Sequence, residues 1–514
     1  MKTSLVLILL LIVATGTGQG NNSGLGPLEK GDIFNTPRNS NFSGFLGQNA
    51  QTLFSVDYIA INRKKQELNL RRFHSGDLSL VDSRDLFRVI DDNYYNEPNE
   101  IFYQENQIFL FSTLNALKGN HKLIYIEIFN EYGELINEKV IDTLEADEKY
   151  LVTEPIEKDG FLIATHNQFE NIFEQSIGLK SIHRNGAIRW ENTVKSPVSL
   201  QNMTLEQVHY SLDAPVYLLC DYGFDKGSTR QDNTDLLNHK YAIWGYDPHK
   251  KLLKEFDIRI KNRWINGISI QFNSKHDLVV NGFMNETRRA SINGVFTLHL
   301  SSEMTVINST YYKYKRAFYQ KFAETKKAEK LKELDDIVLR NCVLLGDDSY
   351  FLIGEHFYHF TERNYDPRTN ITTTTENYNY NSIVVAYFDP NGHHLWTEKI
   401  PKYQQSINDY GYYSSFAVMK HDMSMYLFFN DSDRNNELAL TDYFGYRSLY
   451  NNRRFQITYV RVNPDGVQAR GSFIDNNNNF TLRPRQSYQI DDNRFFLYGE
   501  NGKNRRVFAT RPQE

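Results

Sequence analysis

The sequence predicts an all-β protein, a β-propeller of seven four-stranded blades, with six and eight as the neighbouring counts. Three observations predict it. A short aromatic-aliphatic run recurs seven times, most runs are followed by an alternating strand and a tight turn, and the last unit lacks one strand.

The runs are Ile108-Phe-Leu-Phe, Phe161-Leu-Ile, Val216-Tyr-Leu-Leu, Leu278-Val-Val, Tyr350-Phe-Leu-Ile, Met425-Tyr-Leu-Phe-Phe and Phe495-Phe-Leu-Tyr. Their centres, from Leu110 to Leu497, are separated by 52, 56, 61, 73, 75 and 70 residues. Self-similarity at such a period marks a repeat architecture whose units cannot bury their faces alone. The turns carry their own mechanism: Asn185-Gly186, Pro390-Asn-Gly392 and Pro464-Asp-Gly466 combine an early fixed φ with a late residue that accepts positive φ. Each unit then supplies about four antiparallel strands, and units of that kind close into a ring. The last unit ends at Arg506 to Thr510, one strand short, while Tyr58 to Ile61 and Glu67 to Arg72 read as a surplus hairpin. An N-terminal strand that completes the last blade would remove an exposed edge. Trp190 and Trp396 stand in equivalent last strands and are expected to pack between blades.

Composition narrows the function classes. The 514 residues hold 58 Lys+Arg against 63 Asp+Glu, a formal charge of −5, which gives no basic footprint for nucleic acid. A hydrophobic fraction of 40% is too low for a polytopic membrane protein, and no transmembrane span is expected in the mature chain. Two Cys exclude a disulfide scaffold, and Cys220 and Cys342 read as buried thiols. Met1 to Gly18 reads as a signal peptide: Lys2, an apolar run from Leu5 to Val13, then small residues. Residues 19–50 read as a flexible Gly/Asn/Ser leader. A single propeller domain then covers 51–514, with a helical insertion at about 313–336. The expected setting is periplasm, outer surface or extracellular space, and the expected state is a monomer.

Strand parity decides which loops share a face. First and third turns are tight, whereas the long segments are all second turns or inter-blade connections: Asp221 to Lys240, Thr310 to Asp336, Glu355 to Asn381, Pro401 to Tyr413 and Asn430 to Arg454. Binding residues concentrate on elaborated loops carried by a rigid scaffold, so the functional face is expected there. Its Tyr residues, Tyr365, Tyr378, Tyr380, Tyr412, Tyr443 and Tyr446, offer flat rings with hydroxyls for a sugar or a protein partner. Asp431, Asp433, Asn435, Glu437 and Asp442 give alternate oxygens at the spacing of a Ca²⁺ loop, although the sixth position is Asn436 rather than Gly. Phe318, Phe322, Leu331, Leu334 and Val338 form a rough helical stripe that would pack on a blade side. Glu355, Glu362, Glu376 and Asp409 could supply a glycosidase acid and base. His356, His359, His393 and His394 lack a metal-site spacing, and no His-Glu-x-x-His, nucleophile elbow or phosphate loop occurs.

The run Gly354-Glu-His-Phe-Tyr358, then Ser382 to Asp389 with Gly392 and Trp396, resembles uncharacterised secreted propeller-like proteins of Bacteroidota bacteria. Lys399-Ile-Pro-Lys402 with Gln404, Tyr413 to Phe416, Leu427 to Asp431 and the preceding charged segment Lys313 to Asp336 share the likeness. The resemblance implies a bacterial periplasmic or outer-surface setting and no known activity, so no catalytic residue carries over. The sequence reading is thus an exported binding or interaction module for a glycan or an envelope protein. A glycan-active enzyme with carboxylates near the axis and a scaffold subunit of an envelope complex are the alternatives.

Overall fold

The computed structural model describes residues 24–36, 40–62, 65–86, 93–167, 176–195, 203–212, 214–222, 240–260, 263–286, 291–323, 325–450, 455–473, 480–491 and 493–513. The expected signal peptide and, within the expected loop Asp221 to Lys240, residues 223–239 lie outside them.

Among the described residues eight blade sheets follow one another along the sequence, and a ninth, two-stranded sheet pairs Ser291–Ile292 with Leu334–Asp335. Blades 1 to 7 occupy residues 40–85, 94–145, 148–195, 203–258, 264–313, 337–400 and 417–473. Blade 8 spans 481–510 and takes its outermost strand from the other end of the chain. Second strands such as Tyr350-Phe-Leu-Ile and Met425 to Phe429 are buried on both faces, because each blade is covered by a neighbour on either side. Fourth strands, such as Val306–Lys313, alternate exposed and half-buried residues at the rim. The first strands of neighbouring blades touch one another, as strands nearest a central axis do.

The core proves the ring. Eight apolar clusters are each shared by two blades that are adjacent in sequence, and the last is shared by blades 8 and 1. In that closing cluster Phe496, Tyr498 and Val507 meet Phe42, Leu53 and Phe73, with Phe42 stacked on Tyr498 at 3.7 Å. Trp190 and Trp396 pack between blades as expected, and Trp396 Nε1 donates to Pro464 O of the next blade at 2.7 Å.

The N-terminal region departs from the sequence reading. Eight blades form where seven runs were counted. The supposed surplus hairpin is the middle of a complete first blade, within Thr52–Asn62 and Lys65–His74. Ser55 and Asp57 interrupt the aromatic-aliphatic run there, which hides it from a search for the repeat. The strand that completes blade 8 is Glu29–Asn35, inside the expected flexible leader, and it pairs from Glu29↔Ala509 to Asn35↔Asn504. The leader also holds Ser40–Gln48, the first strand of blade 1.

Parity holds on both faces. On one, tight turns repeat a single bond pattern: Gly186, Gly392 and Gly466 donate to His183, Asp389 and Asn463 at 2.9, 2.9 and 3.0 Å. Gly392 and Gly466 take φ of +77° and +82°, a region only glycine adopts freely. On the other face the expected loop Glu355 to Asn381 is a hairpin arm, the continuation of Tyr350–Asp366 and Ile371–Phe388. Ten residues of each strand run past the blade, about 33 Å of ribbon. The insertion at 313–336 holds only two short helices, Arg316–Tyr319 and Thr325–Ala328, with Phe318 and Tyr319 buried between blades 5 and 6. Cys220 and Cys342 are free thiols, and burial pushes both upward in pKa.

Phe34 carries the closing strand into the core, 6% exposed and 5.4 Å from the Phe73 ring. Phe34→Ala is expected to lower stability by about 3–5 kcal/mol in urea unfolding. Ile33→Ala, on the 44% exposed side of the same strand, should stay within about 0.5 kcal/mol of the parent.

Candidate functional site

The axial mouth on the elaborated face holds a cleft of about 560 Å³. Glu206 and Gln207 of blade 4, Asn266 and Gly267 of blade 5, and Ile337 to Leu339 of blade 6 line it. Tyr241 and Phe357 add ring walls, and Asp336 stands at the rim where the insertion enters blade 6. Asp336 adopts φ +58°, and its carbonyl accepts from Phe357 N at 2.8 Å, which fixes the root of the arm beside the cleft. Of these the sequence reading named Asp336 and Val338, the latter in an expected helical stripe where the structure has a strand, and it passed over the signal at Gly267. A glycine inside a strand marks a bulge or a close approach, and a Cβ there would meet Leu339 Cβ at 2.8 Å.

The Tyr residues divide by depth. Tyr365 is 60% exposed near the arm tip, where its hydroxyl donates to Asn370 Oδ1 at 2.9 Å. Tyr378, Tyr380 and Tyr446 are buried, so they are not the displayed surface the sequence suggested. Tyr378 stacks on His359 at 4.6 Å, and Tyr380 packs on Phe357 at 4.6 Å and accepts from Arg485. Tyr446 packs under Arg470 at 5.0 Å and donates to Leu438 O. Tyr412 lies under Arg483 at 3.6 Å and donates to Glu500, and burial pushes its phenol up to about 12. Tyr443 is half-buried, also pushed up to about 12 by burial. The strand Gln404–Ile407 pairs with 377–380 of the arm, and this sheet covers the Tyr cluster.

Beneath the arm lie two buried lysines with different partners. Lys402 Nζ is held by Glu355 Oε1 at 2.8 Å, Tyr380 O at 2.9 Å and Gln404 Oε1 at 2.9 Å. Glu355 also accepts from Arg340 Nε at 2.8 Å and Ser415 Oγ at 2.9 Å. Lys399 has no carboxylate in its first contacts. Its ammonium donates to Lys321 O at 2.8 Å and Tyr403 Oη at 3.1 Å. The rings of Phe322, Tyr403, Tyr443 and Phe444 surround it at 4.8, 5.6, 5.3 and 5.7 Å. The adjacent Glu398 pairs with Lys321 instead. Burial lowers the Lys399 ammonium from 10.5 to about 8.

The expected Ca²⁺ loop is put to another use. Asp431 is buried and forms an ion pair with Arg470, while its Oδ1 accepts from Asn435 Nδ2 at 2.8 Å and Ser432 N at 2.9 Å. Asn435 points its other contacts at the backbone of Arg447. Asp433 opens a 3-10 turn capped by Ser432, and Asp442 accepts from Gly445 N at 3.0 Å. Glu437 lies in the turn that follows. With Asp431 neutralised by a guanidinium, this set does not fit Ca²⁺. Among the described residues no three His, Cys, Asp or Glu side chains are grouped to hold a metal ion.

The four expected carboxylates do not converge. Glu355 is fully buried in its ion pairs. Glu362 and Glu376 project to opposite faces of the ribbon, since Glu376 pairs in register with Thr361. Glu376 contacts His359 and accepts from Thr361 at 2.9 Å, and Asp409 accepts from Gly411 N at 2.8 Å. His394 stacks on Tyr312 at 3.9 Å, lowered to about 4 by burial.

No family model matches the chain, and no curated protein does. Several solved structures are similar over much of their length. The polysaccharide lyase Uly1 is 8% identical, covering 94% of this chain and 99% of its own at a TM-score of 0.39. The WD40 domain of SCAP from fission yeast is 8% identical over 95% of this chain and 93% of its own, TM-score 0.37. A DUF4221 family member from Bacteroides vulgatus is 12% identical over 66% and 89%, TM-score 0.32. All three scores lie under 0.5, so they carry no argument about activity, and the fold rests on the sheet topology. Among the described residues no helix is long and apolar enough to cross a membrane.

Two measurements check this description. Arg470→Ala should destabilise by about 3–5 kcal/mol, because it strands the Asp431 carboxylate in the interior, whereas chelator should leave the parent melting temperature unchanged. A chelator-induced drop would restore the Ca²⁺ reading. For Lys399, the unfolded chain holds a proton that the folded chain releases between about pH 8 and 10.5. Stability from this side chain is therefore lowest below about pH 8 and recovers as pH rises toward 10.5. The stability of the parent relative to Lys399→Met should rise between pH 8 and 10 in urea titrations; a constant difference would contradict the shift.

Proposed function

We propose that this chain is an exported binding or interaction module whose ligand, a glycan or an envelope protein, meets the face that carries the arm. The observation that supports this most is the asymmetry of the ring. One face ends in tight turns, while the other carries a 33 Å ribbon, a covering sheet and the mouth of the axial cleft, about as much structure as a binding face needs. Four exposed aromatic residues lie on that side, Phe360 at 40%, Tyr365 at 60%, Tyr410 at 78% and Phe444 at 52%, and Tyr132 at 47% lies on the opposite face. Buried Glu355, already paired twice, favours binding over acid-base chemistry at that position. Export rests on the Met1 to Gly18 segment, and the periplasm or outer surface on the Bacteroidota-like motifs.

The full chain should retain a glycan from an array or a stoichiometric partner from an envelope extract. The double substitution Phe360→Ser with Tyr365→Ala, both on the exposed arm, should weaken that retention about tenfold. Tyr132→Ser, on the opposite face, should leave it intact. Loss on Tyr132→Ser alone, with the arm variant unaffected, would assign the ligand to the wrong face and end the proposal.

A further inference from the structure

Five of the first strands around the axis share an irregularity, whereas those of blades 3 and 7 pair without a slip. Their pairing slips between Phe42 and Gly44, Pro98 and Glu100, Leu205 and Gln207, Ile265 and Ile268, and Leu339 and Asn341. A bulge leaves its extra residue out of the ladder and re-aims its side chain. The residues left over are Ser43, Asn99, Glu206, Asn266 with Gly267, and Arg340, each polar or glycine. In blades 4 and 5 the bulged residues Glu206, Asn266 and Gly267 line the axial cleft. Bulging therefore delivers hydrogen-bonding groups to a cavity whose 560 Å³ suits a small ligand.

We propose that this cleft is a binding site for a sugar unit that carries no negative charge. The inference deepens the binding-module reading and rests on it. Polar lining suits hydroxyls: Glu206 and Asp336 are exposed acceptors. Asn266 Nδ2 donates to Ser291 O and Gln207 Oε1 accepts from Ile270 N at 3.4 Å, so Asn266 offers its carbonyl and Gln207 its amide donor. Half-buried Phe357 provides the ring wall on which an apolar sugar face packs. Charge decides the class. Among the described residues no Lys or Arg lines the cleft, so a carboxylated or sulfated sugar would bring its anion against two carboxylates without a counter-cation. The Arg340 guanidinium is 5.3 Å from the Phe357 ring, and its Nε is bound to Glu355. An amino sugar meets no such obstacle, so the lining selects neutral or cationic polyhydroxyl ligands over anionic ones. Gly267 sets the floor: at φ +97°, with Leu339 against it, blades 5 and 6 close below the sugar.

Titration calorimetry of the full chain against neutral, uronic-acid and amino-sugar oligosaccharides tests this. Neutral oligosaccharides should bind, and Glu206→Gln and Asp336→Asn should each weaken binding about tenfold. Both positions are exposed and Asn tolerates the left-handed φ of residue 336, so the fold should persist. Tyr365→Ala, at the arm tip, should not alter binding of a single short oligosaccharide. Preference for uronic sugars, or binding that survives both cleft substitutions, would overturn the inference. Capture of an envelope protein through the arm with no sugar bound would also overturn it while leaving the binding-module reading intact. If neither sugar nor protein responds to changes on this face, both fall.

Discussion

The pairing of Glu29–Asn35 with Asn504–Thr510 is the interaction on which the rest of the structure depends. Each core cluster belongs to two blades, so a stack of sheets left open would expose two apolar faces and one unpaired strand edge. Closure removes all three at once. It also makes the chain ends part of the same sheet, with Gly26 N bonded to Arg511 O at 2.8 Å and Thr510 Oγ1 to Gly26 O at 3.0 Å. The ring thus couples blade 1 to blade 8 through backbone bonds, ring stacking and side-chain packing together. In an open repeat array each unit answers only to its neighbours; here a defect in the closing strand reaches both ends.

A second constraint acts where the second strands leave the core. Glu355, Asn430 and Glu500 occupy equivalent positions, three residues beyond the centres of their runs, and all are buried. Each fastens connections from other parts of the chain. Glu355 holds Lys402 and Ser415, and Asn430 bonds the backbone of Tyr413 and Leu482. Glu500 receives the hydroxyls of Tyr412 and Tyr413 and lies beside Arg483 and Arg505. Burying such groups is unfavourable unless every partner is present, so these networks select one loop arrangement over its alternatives. The elaborated face over blades 6 to 8 is consequently a fixed layer attached to the ring.

Much of the fold was legible because the repeat is written in local chemistry. Aromatic-aliphatic runs mark second strands, and Asn-Gly or Asp-Gly turns mark the trimmed face; both signals act within about ten residues. Blade 1 escaped because Ser55 and Asp57 break its run, and the closing strand escaped because Gly, Asn and Ser dominate the stretch around it. Phe34, Phe42 and Phe45 were the apolar signal there, at spacings too irregular for alternation alone. Parity placed the Tyr-bearing loops on the correct face but could not say which rings turn inward. That depends on Gln404–Ile407 pairing with the arm, a contact set by tertiary packing. The Asp431 loop failed as a cation site for the same reason, since Arg470 comes from the last strand of its blade, Gln468–Phe473. The cleft was the least legible feature because three blades build it, and Gly267 alone left a trace.

The aromatic excess follows from this layered construction. A thick layer above the blades needs large apolar bodies whose ends can still satisfy polar groups, and Tyr provides both. Tyr403 illustrates the pattern: its ring flanks the Lys399 ammonium, while its hydroxyl accepts from that ammonium and donates to Tyr443 O at 3.1 Å. Rings placed this way immobilise the insertion, the connection between blades 6 and 7 and the loop after 432 as one body. A cleft beside such a layer needs little ordering when a ligand arrives, so more of the contact energy appears as affinity. The aromatic residues that the sequence suggested as contact surface act mainly by holding the mouth of the ring in shape, and the groups left to meet a ligand are the polar residues that the bulges present.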